Sequence, residues 1–337
     1  MSSTRPPETS LADGGISDLL RKRTLLALAL VATVGGTLVF PFPMEGRIWG
    51  DLFDLAHAPV FCLSLICLVG FLDPSAIGAP KRFATILPMT FRRVLVVAAF
   101  MTTLGLVGEY LQKFANRSPS WLDVAANSAG LLAGCTWVWA VASRGIRRKL
   151  LVGAAVAILL LVNANPALEV WDSIQQIRSF PVLASFERSR ETGSWATHEA
   201  SFALSDKWAT DGKQSLAVAM HAGQFPGVAM LWMNSDWTEF RSLKFDIKNT
   251  NNTRLTLIVK VQDKQHTQTG FEYDDRFHQK VEVAADSVAT VNVDLNSVKN
   301  APANRTMDMT HINMIDIFAV DIKEPTTFHL DYVRLEK

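Results

Sequence analysis

Gly108-Glu109-Tyr110-Leu111-Gln112, then Arg117, then Trp121-Leu122-Asp123-Val124-Ala125-Ala126-Asn127-Ser128-Ala129-Gly130 set acids, amides and an arginine between two long apolar runs. Those runs, Val94 to Leu111 and Leu122 to Ala142, approach the roughly 20 residues that carry a helix across about 30 Å of hydrocarbon. A charged side chain at the bilayer centre costs about 2.5 to 3.5 kcal/mol on insertion scales, so these polar groups belong near an interface or face a protein interior. The stretch reads as a membrane hairpin with a polar turn.

Working outward, three further runs have similar length: Thr24 to Phe42, Leu55 to Leu72 and Leu150 to Leu168. Five spans are expected. Arg21-Lys22-Arg23, then Lys81-Arg82 with Arg92-Arg93, then Arg144, Arg147, Arg148 and Lys149 mark alternate loops. Lys and Arg concentrate on the cytoplasmic side, which puts the N-terminus inside and everything beyond the fifth span outside, in a periplasmic or other extracytoplasmic space. Phe40-Pro41-Phe42-Pro43 lacks a small-x-small cleavage pattern, so the first run reads as a retained span of a multi-pass inner-membrane protein. Residues 1–20, rich in Ser, Pro, Thr and Gly, read as a disordered cytoplasmic tail.

The second half has a different period. Leu243, Phe245 and Ile247 alternate with Lys244, Asp246 and Lys248, the pattern of a strand buried on one face. Similar segments run from Ser215 to Met220, Gly227 to Met233, Leu255 to Val261, Lys280 to Val283, Thr290 to Leu295, Ile315 to Val320 and Phe328 to Leu335. Asn- and Pro-rich breaks such as 248–252 and 300–304 separate them. The expected fold is therefore multi-domain: an α-helical membrane bundle of about five transmembrane helices, then an all-β jelly-roll sandwich. The boundaries are 1–20 for the tail, 21–168 for the bundle, 169–182 for a linker and 183–337 for the sandwich. Asn163-Ala164-Asn165-Pro166 marks the exit of the last helix, and Trp171 to Ser179 a short amphipathic connector.

With 33 Lys and Arg against 32 Asp and Glu, the net charge of +1 gives no field to recruit nucleic acid. Cys62, Cys67 and Cys135 all lie in apolar runs and read as packing residues rather than a disulfide framework.

Helical spacing collects the polar groups of the bundle. Asp54 and His57 share a face with Phe61 and Ser64, Glu109 and Gln112 with Gly105, and Asp123 and Asn127 with Gly130 and Gly134. In the orientation above, all of these acids and amides arrive at the outer surface, where Arg117 can fold over them. Such a set can bind a headgroup, shuttle a proton or hydrolyse a lipid-linked ester, or its members can satisfy one another and lock the bundle. Gly130 and Gly134 form a small-xxx-small step that favours close helix packing over chemistry.

The pattern Glu109-x-x-Gln112, Arg117, Ser120-x-x-Asp123-x-x-x-Asn127-x-x-Gly130-x-x-x-Gly134 resembles the core motif of VanZ-like membrane proteins, a family named after a glycopeptide-resistance accessory protein, over about residues 48–141. Relatives carry Asp-Lys-x-x-His in an earlier helix; here Asp54-Leu55-Ala56-His57 is one residue shorter and lacks the Lys, so His57 is the position that carries over. The resemblance implies an envelope-associated membrane protein of no defined activity.

From about 183 to 337 the signposts Phe186-Glu187, Asp211-Gly212-Lys213, Tyr273-Asp274-Asp275-Arg276 and Leu330-Asp331-Tyr332-Val333 resemble a galactose-binding-like or carbohydrate-binding-module jelly roll. That resemblance implies a saccharide ligand held by aromatics and polar groups, with Trp232, Trp237, Tyr273, Asp274, Asp275 and Arg276 as candidates. The alternative for the 273–276 run is an internal Arg–Asp pair pinning its loop. The resemblance also implies a structural calcium, with Glu187 and Asp331 as oxygen ligands.

Three functions follow: binding of an amphiphilic or lipid-linked glycan, a membrane-embedded hydrolase or transferase using Glu109, Asp123 and His57, or a non-catalytic scaffold that docks another protein. Five spans with polar groups at one surface leave no midplane path for a transporter.

Overall fold

The computed structural model describes residues 21, 23–29, 46–79, 85–111 and 120–337. The expected tail, most of the expected first span, Gln112 and Arg117 lie outside these. The chain divides into two units, one comprising Gly50–Leu168, the other Glu45–Trp49 together with Glu169–Lys337.

Four helices carry the first unit: α1 (Arg47–Leu72), α2 (Phe91–Leu111), α3 (Trp121–Ala142) and α4 (Gly145–Ser179). All four are long and apolar enough to cross a membrane. Ser120 starts α3, its hydroxyl accepting from the N–H groups of Leu122 and Asp123 at 3.2 and 3.3 Å, two of the donors that a helix start leaves unpaired. Gly130 and Gly134 sit where α3 meets α1. A Cβ on Gly134 would lie 2.9 Å from Leu65 Cδ2 and 3.1 Å from the Cys62 carbonyl, and one on Gly130 would overlap the Ala58 backbone. The small-residue step is thus a close helix crossing, packed beside Leu65, Leu131 and Cys135.

Helix α4 corrects the expected exit and linker. It runs without a break through Asn163-Ala164-Asn165-Pro166 to Ser179. Proline inside a helix costs one backbone hydrogen bond and about 3 kcal/mol, but the turns beyond it are anchored. Asp172 accepts from Arg47 at 2.9 Å and from Arg188 at 3.1 Å, and Glu169 pairs with both Arg47 and Arg190. Gln176 Nε2 donates to the Trp232 carbonyl at 2.9 Å. Residues 169–179 are therefore a helical part of the second unit, tied to its rim by side chains that periodicity alone does not reveal.

The second unit is an antiparallel sandwich. Its strands are β1 (Val182–Ala184), β2 (Trp195–His198), β3 (Ala200–Ser205), β4 (Ser215–Met220), β5 (Gly227–Met230), β6 (Ser242–Asn249), β7 (Leu255–Asp263), β8 (Phe277–Val283), β9 (Val288–Asp294), β10 (Ile312–Phe318) and β11 (Thr326–Glu336), with a short helix α5 (Leu295–Lys299). One sheet has the order β3-β4-β11-β6-β9 with β1 also on β11, and the other β2-β5-β10-β7-β8. Alternation drives the stacking: Leu243, Phe245 and Ile247 from one sheet, and Leu257, Val259 and Val261 from the other, are fully buried. Each such side chain contributes about 1.5 to 3 kcal/mol by leaving water. Strand β11 kinks between Asp331 and Arg334, where its register shifts and Tyr332 adopts φ 50°.

Candidate functional site

The five-stranded sheet presents a continuous outer face. Asp316 of β10 stands opposite Lys260 of β7, and Lys260 opposite His278 of β8, so the three side chains form one row across adjacent strands. One step along, Met314 stands opposite Gln262. Arg276 immediately precedes Phe277, the partner of Val261, and so enters beside Gln262. On the other flank His198 of β2 stands opposite Gly227 of β5, and its imidazole reaches across to Asp316 Oδ1 at 2.8 Å. That hydrogen bond is the main reason the His198 pKa rises above its ordinary value.

Rings close both ends. Phe225, exposed, and Phe318 meet edge to face with centroids 6.0 Å apart. At the opposite end Tyr273 is 59% exposed, its hydroxyl 2.8 Å from His278 Nε2 and its ring 5.0 Å from the Arg276 guanidinium carbon. Between them lie polar groups with unspent capacity. Gln262 is 1% exposed with no partner for Oε1, the Arg276 Nε is buried without one, and burial lowers the Lys260 pKa.

This geometry redistributes the residues expected from sequence. Tyr273 and Arg276 belong to the face, and Trp232 is 47% exposed just beyond β5. Trp237 is fully buried, its indole N–H donating to the Asn234 carbonyl at 2.9 Å, so it is a core residue that borders a separate cleft of about 580 Å³. Asp274 is exposed and its carbonyl accepts from the Ala303 N–H at 2.9 Å. Asp275 turns inward. It is held by Arg305, at 2.6 Å to Nε and 2.9 Å to Nη2, and by Thr269 at 2.8 Å. The loop is indeed pinned by an Arg–Asp pair, but the arginine is Arg305, thirty residues away, and not Arg276.

The hydrogen bonds from Arg305 hold the Asp275 carboxyl down at about 2 despite its burial. An unfolded Asp titrates near 4. The group thus adds stability above pH about 4 that is lost as pH falls toward 2, about 2 kcal/mol in all. The expected result is that wild type loses stability relative to Asp275→Asn between pH 5 and 2. Thermal melts across that range check it, and a constant gap between the two proteins would refute it.

Glu187 and Asp331 do not suit calcium. Asp331 Oδ2 accepts from the N–H groups of Thr210 and Asp211 at 2.6 and 3.0 Å, and Oδ1 from Tyr332 N–H at 2.8 Å. Glu187 Oε1 accepts from Lys213 and Gln214 N–H at 2.6 and 2.7 Å. N–H groups in those positions repel a cation, and a calcium shell needs oxygens. These carboxylates instead tie the 210–214 turn to β11 and to the segment after β1.

In the bundle, α1 and α3 bring four expected residues together. His57 Nδ1 lies 2.9 Å from Asn127 Oδ1, and its Nε2 3.9 Å from Asp123 Oδ2. Asp54, His57 and Asp123 each offer a ligand atom within 4.8 Å of the others, close enough to surround one metal ion. Glu109, 5% exposed, accepts from Ser120 N–H at 3.4 Å and so faces the start of α3.

Neither a family model nor a curated protein matches the chain, so the VanZ-like resemblance rests on its motif alone. Among solved structures, a family 11 carbohydrate-binding module from Clostridium thermocellum, in complex with a beta-1,3-1,4-mixed-linked tetrasaccharide, is 14% identical with a TM-score of 0.37, covering 46% of this chain and 94% of that one. The C-terminal family 22 module of Clostridium thermocellum Xyn10B is 13% identical, TM-score 0.33, covering 47% and 95%. An exo-beta-agarase is 16% identical, TM-score 0.38, covering 46% of this chain. The matched chain spans only 24% of that agarase. Likenesses at this level carry neither ligand nor activity across.

Lys260, Gln262, Asp316 and His198 were not among the expected site residues. A signal was present: Lys260 falls between Val259 and Val261, so in a strand it must point away from the core that they enter.

Proposed function

We propose that this chain is a membrane-anchored saccharide-binding protein of the bacterial envelope. Its spans hold an exported sandwich close to an amphiphilic or lipid-linked glycan, and the outer face of the five-stranded sheet takes the sugar. The observation that carries this reading is the juxtaposition on that face of two half-buried cations, Lys260 and Arg276, with the exposed Tyr273 ring. Flat rings stack on apolar sugar faces while amides and cations hydrogen-bond the hydroxyls.

The orientation has support of its own. Leu160 and Leu161 of α4 are 68% and 78% exposed, apolar surface that suits lipid rather than water. The ion pairs of Arg47 with Glu169 and Asp172 require the start of α1 and the end of α4 to share one side, as four crossings between them allow. With the basic loops inside, that side is outside. The VanZ-like motif of residues 48–141 agrees with an envelope role.

The test is a glycan panel offered to the full chain in detergent micelles or nanodiscs, read by calorimetry. At least one glycan binds, and Tyr273→Ala weakens it about three- to tenfold, the worth of one stacked ring. A panel of neutral and acidic envelope glycans with no binder overturns the reading, as does binding that Tyr273→Ala leaves unchanged.

A further inference from the structure

Resting on that reading, we infer that the saccharide is acidic: the face takes a sugar bearing carboxylate groups, which sit between Lys260 and Arg276.

The carboxylates of the face are already committed. Asp316 is held by His198 at 2.8 Å, and Glu282, along β8, by Lys280 and Arg254, each at 2.8 Å. Lys260 and Arg276 remain. Among the described residues neither has a carboxylate within ion-pair range, and Arg276 is stacked on Tyr273 with its Nε buried and unpartnered.

Cations drawn partly out of water without an anion are costly, and a chain keeps them where a ligand supplies the missing charge. Burial and the neighbouring Arg276 charge lower the Lys260 pKa, and the pull of Asp316, already bound to His198, does not offset them. Position adds specificity. Lys260 and Gln262 point the same way from one strand, about 7 Å apart along it, and Arg276 borders Gln262 from the next. A carboxylate beside Lys260 and Arg276 leaves the sugar ring free to lie over the exposed Tyr273 ring. A neutral sugar would use the ring but leave both cations unmatched.

The experiment measures binding of an oligogalacturonate to the full chain in nanodiscs, beside the same oligomer with its carboxyls reduced to alcohols, a neutral β-glucan, and polyglutamate. The oligogalacturonate binds at least tenfold more tightly than its reduced form. Lys260→Met and Arg276→Met each cost about tenfold, the scale of one charged hydrogen bond, while thermal melts show both variants folded. Affinity falls between 50 and 300 mM salt. Equal binding of native and reduced oligomers overturns the inference and leaves saccharide binding standing. Polyglutamate binding as tightly as the oligogalacturonate also overturns it, because bare charge then suffices. No binding to any of the glycans overturns both readings.

Discussion

Arg305→Ala lowers the melting temperature of the sandwich by roughly 10 °C, the largest stability loss expected of any single truncation outside the apolar core. The guanidinium grips two carboxylates at once. It meets Asp263 with both terminal nitrogens, at 2.5 and 2.8 Å, and Asp275 through Nε at 2.6 Å. The Asp263 side chain is fully buried and that of Asp275 10% exposed. Removing the cation strands both charges, and breaking a buried pair in this way costs about 3 to 5 kcal/mol. At about 2 to 4 °C per kcal/mol for a domain of this size, that is the stated shift. Asp263 also accepts from the N–H groups of His266 and Asp308, at 3.2 and 2.7 Å, so the 264–276 and 305–311 segments loosen together. Calorimetry or circular dichroism of the full chain reads it; a shift below about 3 °C would mean that water takes over the role of the arginine.

Gly130→Ala separates α1 from α3, with a cost of about 3 kcal/mol. Alanine normally stabilises a helix relative to glycine by about 1 kcal/mol, so the sign alone is informative. At Gly130 the new methyl meets the Ala58 carbonyl, carbon and Cα, all backbone, and nothing there can rotate away. Overpacking against groups that cannot yield lies at the upper end of the usual range of about 1 to 3 kcal/mol. Gly134→Ala meets the movable Leu65 terminus first and the Cys62 backbone carbonyl only at 3.1 Å, against overlap with the Ala58 backbone at Gly130, and is expected to cost about 1 kcal/mol. The pair separates backbone closeness from glycine content. Resistance to protease and to denaturing detergent ranks the two variants, and a Gly130→Ala protein as robust as wild type would remove the close crossing.

Much of this fold is legible in the sequence because its signals are periodic. The Leu243 to Lys248 alternation, the apolar runs and the small-residue step each announce an element from a few neighbouring residues. Boundaries fail where distant side chains decide them. Nothing near Asn163 or Pro166 says that Glu169 and Asp172 will meet Arg47, and those ion pairs keep α4 helical past its proline. The loop at 273–276 shows the same limit. Its acid–base character is plain, but which arginine closes on Asp275 depends on Arg305 arriving from the segment before β10. Strands β1, β2 and β3 are missed because their pairing is supplied by β11, β5 and β4 in turn rather than by a pattern of their own.

Arg47 precedes Glu169 by 122 residues, yet it belongs with the sandwich rim. In the proposed topology the ribosome has released four membrane crossings before the acids that neutralise this arginine emerge. Biogenesis then carries its own proofreading: a chain that skips or inverts one crossing leaves Arg47 on the wrong side, and Glu169 and Asp172 with only Arg190 and Arg188 to pair with, at the moment the exported half begins to fold.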